Sequence, residues 1–285
     1  MQIIHTVAEL RNALKSKTGI ALVPTMGNLH AGHIHLATLA RQHAQCVVMS
    51  IFVNPLQFGA NEDLASYPRT LDADCEKLQA AGVDIVFAPN VQEMYPDFNA
   101  ATNDLGQTMI INAPPIANEL CGATRPGHFD GVATVVMKLF NIVMPQVAVF
   151  GKKDFQQLFI IRELVRQFNL PIEIIAGDTV REASGLAMSS RNGYLTTDQK
   201  SHASMLHTCL KEIVASIQQG YTDFTGLEQA AAQNLNSNGW LSDYISVRSA
   251  HTLLPASKED TALVVLAAAK IGNTRLIDNI EFTRT

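Results

Sequence analysis

The sequence predicts a parallel, doubly wound α/β sheet, followed by a smaller α+β region beginning near residue 181. Two observations carry this reading. Short apolar runs alternate with helical stretches in a β-α-β rhythm. The runs are also apolar almost throughout, as strands covered on both faces should be. The first strand is expected over residues 20–23, followed by a helix over 32–43. Residues 46–53 form the second, longer strand, and 70–81 a helix closed by Gly82. Strands follow at 84–88 and 146–150, then a helix at 154–168 and a strand at 172–176. Residues 89–131 read as less regular, with loops marked by Pro114-Pro115 and Arg125-Pro126-Gly127. Beyond residue 181, helices are expected at 197–218 and 223–232, and strands at 243–247 and 262–270. The division is therefore 1–180 and 181–285.

A chain of 285 residues with 47% hydrophobic and 16% charged residues is long and apolar enough for a large packed core. A net charge of −5 argues against a generic nucleic-acid or anionic-membrane surface, so any anion site must be local. No apolar run approaches the roughly 20 residues that span a bilayer, and residues 1–5 lack the pattern of a signal peptide. Cys46, Cys75, Cys121 and Cys209 form no CxxC pair and read as reduced cysteines of a cytoplasmic protein.

In open sheets of this kind, ligands sit beyond the carboxyl ends of the strands. Three polar segments fall there: residues 30–33, 54–57 and 151–154. In the first, His30 and His33 lie three apart around Gly32, where the strand turns into a helix. Glycine lets backbone approach an anion closely. The helix start offers unpaired N–H groups and a positive dipole end, and each imidazole adds a donor. Phosphate contact, metal binding and helix capping all remain open on these residues. The zincin pattern, however, would need i, i+4 histidines and a glutamate. His35 points elsewhere on the helix and reads as structural.

Asn54 and Gln57 follow the second strand. Their amides suit hydroxyls and a carboxylate, or simply form a polar loop. In the third segment, Gly151 permits close approach, Lys152 and Lys153 supply charge, Asp154 is placed to cap the helix, and Gln157 shares its side. No Walker A loop is present. Ser189, Ser190 and Arg191 suit phosphates, and Arg125 and His128 could line an anion site. Asp72 and Asp74 read as a solvated or capping pair.

These segments, in this order, resemble the pantoate–β-alanine ligases (pantothenate synthetases). The matching stretches are PTMGNLHAGH at 24–33, SIFVNPLQFG at 50–59, YPRT at 67–70, RPGHFDGVATVV at 125–136, FGKKDFQQL at 150–158, TVREASGLAMSSRNGYL at 179–195 and GNTRLIDN at 272–279. HxGH alone would point only to the wider nucleotidylyltransferase superfamily, and MSSR resembles a degenerate KMSKS signature.

The resemblance implies a Rossmann-like N-terminal domain with a smaller C-terminal lid domain, a homodimer, and ATP with Mg2+. It implies an AMP-forming ligase with pantoate, β-alanine and ATP as substrates, acting through pantoyl adenylate. Met26, Gly27, Asn28, Leu29, His30, Ala31, Gly32 and His33 would cradle ATP, with His33 catalytic and His30 beside it on the phosphates. Gly151, Lys152, Lys153 and Asp154 would contact ATP, Lys153 on the phosphates and Asp154 on the ribose. Val180 would meet the adenine through its backbone, and Met188, Ser189, Ser190 and Arg191 would close over the phosphate chain. Gln57 and Gln157 would grip pantoate, and Gln57 would also lie near β-alanine. Lys152 stands where the family often has an acidic residue, which leaves Lys153 as the expected working lysine. Ala73 interrupts an acidic run seen in some relatives, so ATP's own phosphates are expected to hold most of the magnesium. The alternatives are a related nucleotidyltransferase releasing a stable adenylylated product, and a non-catalytic nucleotide-binding protein.

Overall fold

The computed structural model describes residues 1–59, 62 and 64–284. The chain divides into two compact units. One comprises Met1–Lys152 with Gln157–Asp178, the other Lys153–Gln156 with the chain from Thr179 onward.

The first unit runs β1 (Gln2–Ile4), α1 (Val7–Leu14), β2 (Ile20–Thr25), α2 (Ala31–His43), β3 (Cys46–Ile51), α3 (Leu71–Ala80), β4 (Ile85–Phe87), α4 (Val91–Met94), α5 (His128–Val143), β5 (Val147–Gly151), α6 (Phe155–Gln167) and β6 (Glu173–Gly177). The strands form one sheet in the order β1-β4-β3-β2-β5-β6, every pair parallel. Alternate residues of each strand feed opposite cores. Ile20, Leu22, Val48 and Ala148 pack with residues of α1, α5 and α6. Ala21, Val23, Val47, Met49 and Val149 pack with residues of α2 and α3. Both faces are thus covered, which is why the strand sequences are nearly continuous in apolar residues.

The strand order places the site. Chain progression runs from β2 outward through β3, then crosses to the other side of β2 at β5. The carboxyl ends of β2 and β5 therefore flank the point where connections diverge, the place an open sheet offers a ligand.

The structure differs locally from the sequence expectation in three places. β2 continues through Pro24 to Thr25, because Pro24 falls beyond the part of β2 that pairs with β5. β3 stops at Ile51, where Asn54 and Pro55 begin a 3-10 turn over Pro55–Gln57. The sequence reading leaves out α5, a mostly buried helix whose few polar residues, Asp130, Thr134, Lys138 and Asn141, nonetheless recur at helical spacing on one side. It packs directly on the 3-10 turn: a Cβ on Gly131 would stand 2.4 Å from the Leu56 carbonyl oxygen.

The second unit carries α7 (Thr197–Ala203), α8 (Met205–Gln218), α9 (Phe224–Ser237), β7 (Trp240–Ser249), β8 (Ala262–Ile271) and β9 (Thr274–Thr283). Its sheet is antiparallel in the order β7-β8-β9, backed by the helices around a separate core. The single helix expected over 197–218 is broken at Ser204, and β9 is a strand that the sequence pattern does not predict. No helix of the described residues is long and apolar enough to cross a membrane.

β9 holds the unit's buried charge. Arg181 donates to both oxygens of Asp278, at 2.7 and 2.9 Å, and to the Gly185 carbonyl. His207 Nδ1 lies 3.2 Å from the same carboxylate. Burial alone would push the Asp278 carboxyl up, but His207 and Arg181 overcome it and hold the group below the usual aspartate range. Because the folded value is depressed, this stabilisation is full above the ordinary aspartate range, near pH ~3.9, and is lost as pH falls through the folded value. Asp278→Asn, which leaves Arg181 uncompensated, should cost about 3–5 kcal/mol at pH 7 and much less at low pH. Urea unfolding followed by the fluorescence of Trp240, the sequence's one tryptophan and a residue of this unit, checks it. An equal loss at both pH values contradicts it.

Candidate active site

The turn after β2 is built around one carboxylate. Gly27 and Asn28 both take left-handed backbone conformations, φ +86° and +50°. Their turn is held by Asp74, whose oxygens accept from the backbone N–H groups of Asn28 and Leu29, each at 2.8 Å. Thr70 Oγ1 donates to the same carboxylate at 3.0 Å, and Lys77 Nζ stands 3.8 Å away while donating to the Leu29 carbonyl. Asp74 is fully buried. The expectation of a solvated or capping pair is therefore corrected. Asp72 is exposed, but Asp74, two positions on, faces inward and serves the turn. A Cβ at Gly27 would lie 3.3 Å from Asp74 Oδ2 and 3.1 Å from Ile51, so the close approach favours glycine there.

The turn delivers the chain to the start of α2, where the two histidines cap the helix reciprocally. His30 Nδ1 accepts from the Gly32 N–H at 3.1 Å, and His33 Nδ1 accepts from the His30 N–H at 3.2 Å. The rings lie 4.1 Å apart. Helix capping, one of the readings open at the sequence level, thus describes what both Nδ1 atoms do. It has a chemical consequence: a ring that accepts at Nδ1 carries its proton, when neutral, on Nε2. Both imidazoles are therefore set as Nε2–H donors, at a helix start whose first turn holds no acidic residue.

The segment after β3 is equally constrained. Asn54 is 1% exposed. Its Oδ1 accepts from Tyr95 Oη at 2.5 Å and from the Leu56 N–H at 3.3 Å. Its Nδ2 donates to the Gly131 carbonyl at 3.3 Å and to Gln57 Oε1 at 3.1 Å. Gln57 Nε2 lies 3.2 Å from the Met26 sulfur. The Gln57 backbone carbonyl accepts from His128 Nδ1 at 2.8 Å, since Arg125 Nη1, always a donor, occupies Nε2 at 2.9 Å. Arg125 also clasps Glu62 with two bonds of 2.6 and 2.7 Å. Its charge is committed to that carboxylate, and His128 supports Gln57.

β5 ends at Gly151, and a 3-10 turn over Lys152–Asp154 leads directly into α6, where Gln157 lies half-buried in the first turn. Lys152 Nζ pairs with Asp178 at 2.9 Å. The Lys153 carbonyl accepts from Asn279 Nδ2 at 2.9 Å. In the second unit, the Val180 carbonyl accepts from the Met188 N–H, closing a hairpin. Ser189 Oγ accepts from the Arg191 N–H, capping the 3-10 turn over Ser190–Tyr194.

Asp74, Tyr95 and Asn279 are not singled out as site residues by the sequence. Asp74 and Asn279 lie in or near quoted motifs, but nothing in composition or spacing marks a residue whose partner is a distant backbone amide or carbonyl. Tyr95 carries no signal beyond being a tyrosine with an apolar neighbour.

The model of the family described as pantoate–β-alanine ligase matches residues 2–281. A pantothenate synthetase of Methylobacillus flagellatus is 69% identical, the match covering 99% of each chain. One from Thiobacillus denitrificans is 57% identical over 99% of this chain and 98% of its own. Among solved structures, the pantothenate synthetase of Thermus thermophilus superposes with a TM-score of 0.91 at 43% identity, covering 99% of both chains. The pantoate–β-alanine ligase of Francisella tularensis, solved with β-γ ATP and β-alanine, gives 0.82 at 34% identity, covering 99% of this chain and 97% of its own. With its parallel sheet, its histidine-capped helix and full-length matches of this strength, the chain belongs to the pantoate–β-alanine ligase family.

Proposed function

We propose that this protein condenses (R)-pantoate with β-alanine to pantothenate, consuming ATP and releasing AMP and pyrophosphate through a pantoyl-adenylate intermediate. Full-length family membership supports the overall reaction. The observation that carries the chemistry is the reciprocal cap, which turns both histidines into Nε2–H donors at the positive end of α2.

In the first step a carboxylate oxygen of pantoate attacks the α-phosphorus of ATP. The bond to the β-phosphate's bridging oxygen breaks, and pyrophosphate leaves. Negative charge grows on the α-phosphate oxygens, where preorganised donors are worth most because they need no reorganisation. We assign His33 as the catalytic donor to that charge, with His30 beside it on the phosphates. Of the two adjacent lysines we assign Lys153 to the phosphate chain, because the amine of Lys152 is already paired with Asp178. In the second step the β-alanine amine attacks the acyl carbon, the bond from that carbon to the oxygen bridging it to phosphorus breaks so that AMP departs with this oxygen, and the new amide nitrogen loses a proton. No protein nucleophile is required, since positioning and electrostatics carry both steps.

For the nucleotide we assign Met26 through His33, Gly151 through Asp154, Val180 and Met188 through Arg191. For pantoate we assign Gln57 and Gln157, with Gln57 also near β-alanine. Magnesium would enter with ATP as part of the substrate. Among the described residues no group of three His, Cys, Asp or Glu gathers to hold a metal ion, and the Asp74 oxygens are committed to the turn. A cytoplasmic homodimer completes the proposal.

Product analysis tests it. ATP, pantoate and β-alanine should yield AMP and pyrophosphate in step with pantothenate, and His33→Ala should slow adenylate formation by about 10²–10³-fold. ADP and phosphate as products would rule out the adenylate route. AMP-transfer product that accumulates untouched by β-alanine would indicate the related nucleotidyltransferase instead.

A further inference from the structure

Gln57 can serve its substrate in two ways, because a primary amide presents an acceptor oxygen at one end and a donor NH2 at the other. The surrounding bonds choose between them. At Asn54, the Leu56 backbone N–H can only donate and the Gly131 carbonyl can only accept, so Oδ1 must face Leu56 and Nδ2 must face Gly131. Both of these contacts are 3.3 Å long and weak. The 2.5 Å bond from Tyr95 Oη to Oδ1 is the short one in the set. Burial pushes the Tyr95 hydroxyl well above its ordinary pKa, so it keeps the proton that it donates.

We propose that Tyr95 is a positioning residue that locks the Asn54 amide and through it fixes the polarity of Gln57. With Asn54 locked, its Nδ2 meets Gln57 Oε1, and Gln57 must turn its oxygen inward. The NH2 group is then the end presented outward, with two N–H bonds and the weakly accepting Met26 sulfur as its protein neighbour. The substrate group it meets is therefore an acceptor oxygen, a carboxylate or hydroxyl oxygen of pantoate, and a donor at that place is rejected. This rests on the reading of Gln57 as a pantoate ligand.

Tyr95→Phe keeps the ring, its packing beside Phe52 and its place under the Lys138 amine, and removes only the hydroxyl. Pantoate-dependent ATP–pyrophosphate exchange provides the readout. The variant should raise the KM for pantoate about tenfold, the loss expected for one buried hydrogen bond, and leave the KM for ATP within about twofold. In a Gln57→Ala background, where no amide remains to orient, Tyr95→Phe should add nothing. An unchanged pantoate KM in Tyr95→Phe overturns the proposal. So does an equal loss in the Gln57→Ala background, which would make Tyr95 merely structural. Gln57→Ala alone leaving the pantoate KM unchanged overturns the reading of Gln57, a separate failure.

Discussion

A single buried carboxylate organises the site. The turn between β2 and α2 contains two successive left-handed residues and leaves backbone N–H groups pointing into the protein, where an unpaired one would cost about 1–3 kcal/mol. Asp74 meets two of them, and the Thr70 hydroxyl adds a third bond. A carboxylate stripped of water is tolerated only when it is this well hydrogen-bonded. The dependence runs both ways: the turn needs the carboxylate, and the carboxylate needs the turn. The chain passes from this turn straight into α2, so the direction of the histidine cap is set by a side chain on α3.

The same construction recurs across the first unit. Polar side chains near the carboxyl ends of β2 and β3 are held by backbone groups and by one another. The histidines engage backbone N–H groups through Nδ1. Gln57 gives its oxygen to Asn54 and its backbone carbonyl to His128, which is itself held by Arg125, a residue that Glu62 clasps in turn. Rotamers held in this way do not have to be ordered when the substrate arrives, which is the entropic advantage of a preorganised site. In the second unit, the Arg181–Asp278 pair closes the Arg181–Gly185 loop against β9, and the next residue of β9, Asn279, holds the backbone of Lys153.

The architecture is legible where the sequence has a pattern. Strands buried on both faces produce unbroken apolar runs such as 46–49, and polar segments just after them mark the carboxyl edge of the sheet. The motifs at 24–33 and 150–158 therefore fall at the carboxyl ends of β2 and β5. Patterns fail where burial removes them. The polar residues of α5 are few, and two of them, Asp130 and Thr134, turn inward to accept from the Ala113 and Ile111 backbone N–H groups, while β9 carries Asp278 on its core face, where alternation would favour an apolar residue. Asp74 escapes a reading of the sequence because an acidic residue near a helix start is usually solvated, and only the fold reveals that this one faces two backbone amides. Residues that act through a partner's backbone, such as Asp74, His128 and Asn279, leave no spacing rule to find.

The central claim is that the Asp74-held turn aims the histidine donors at the reacting phosphate. Pantoate-dependent ATP–pyrophosphate exchange by Asp74→Asn, without β-alanine, tests it most directly. Asparagine offers one acceptor oxygen for two backbone amides and no charge, so one amide goes unmet. The account predicts an exchange rate at saturating substrates about 10–100-fold below that of the unsubstituted protein, the cost of about 1–3 kcal/mol for an unmet buried group carried into the transition state. An unchanged exchange rate in that variant would contradict it.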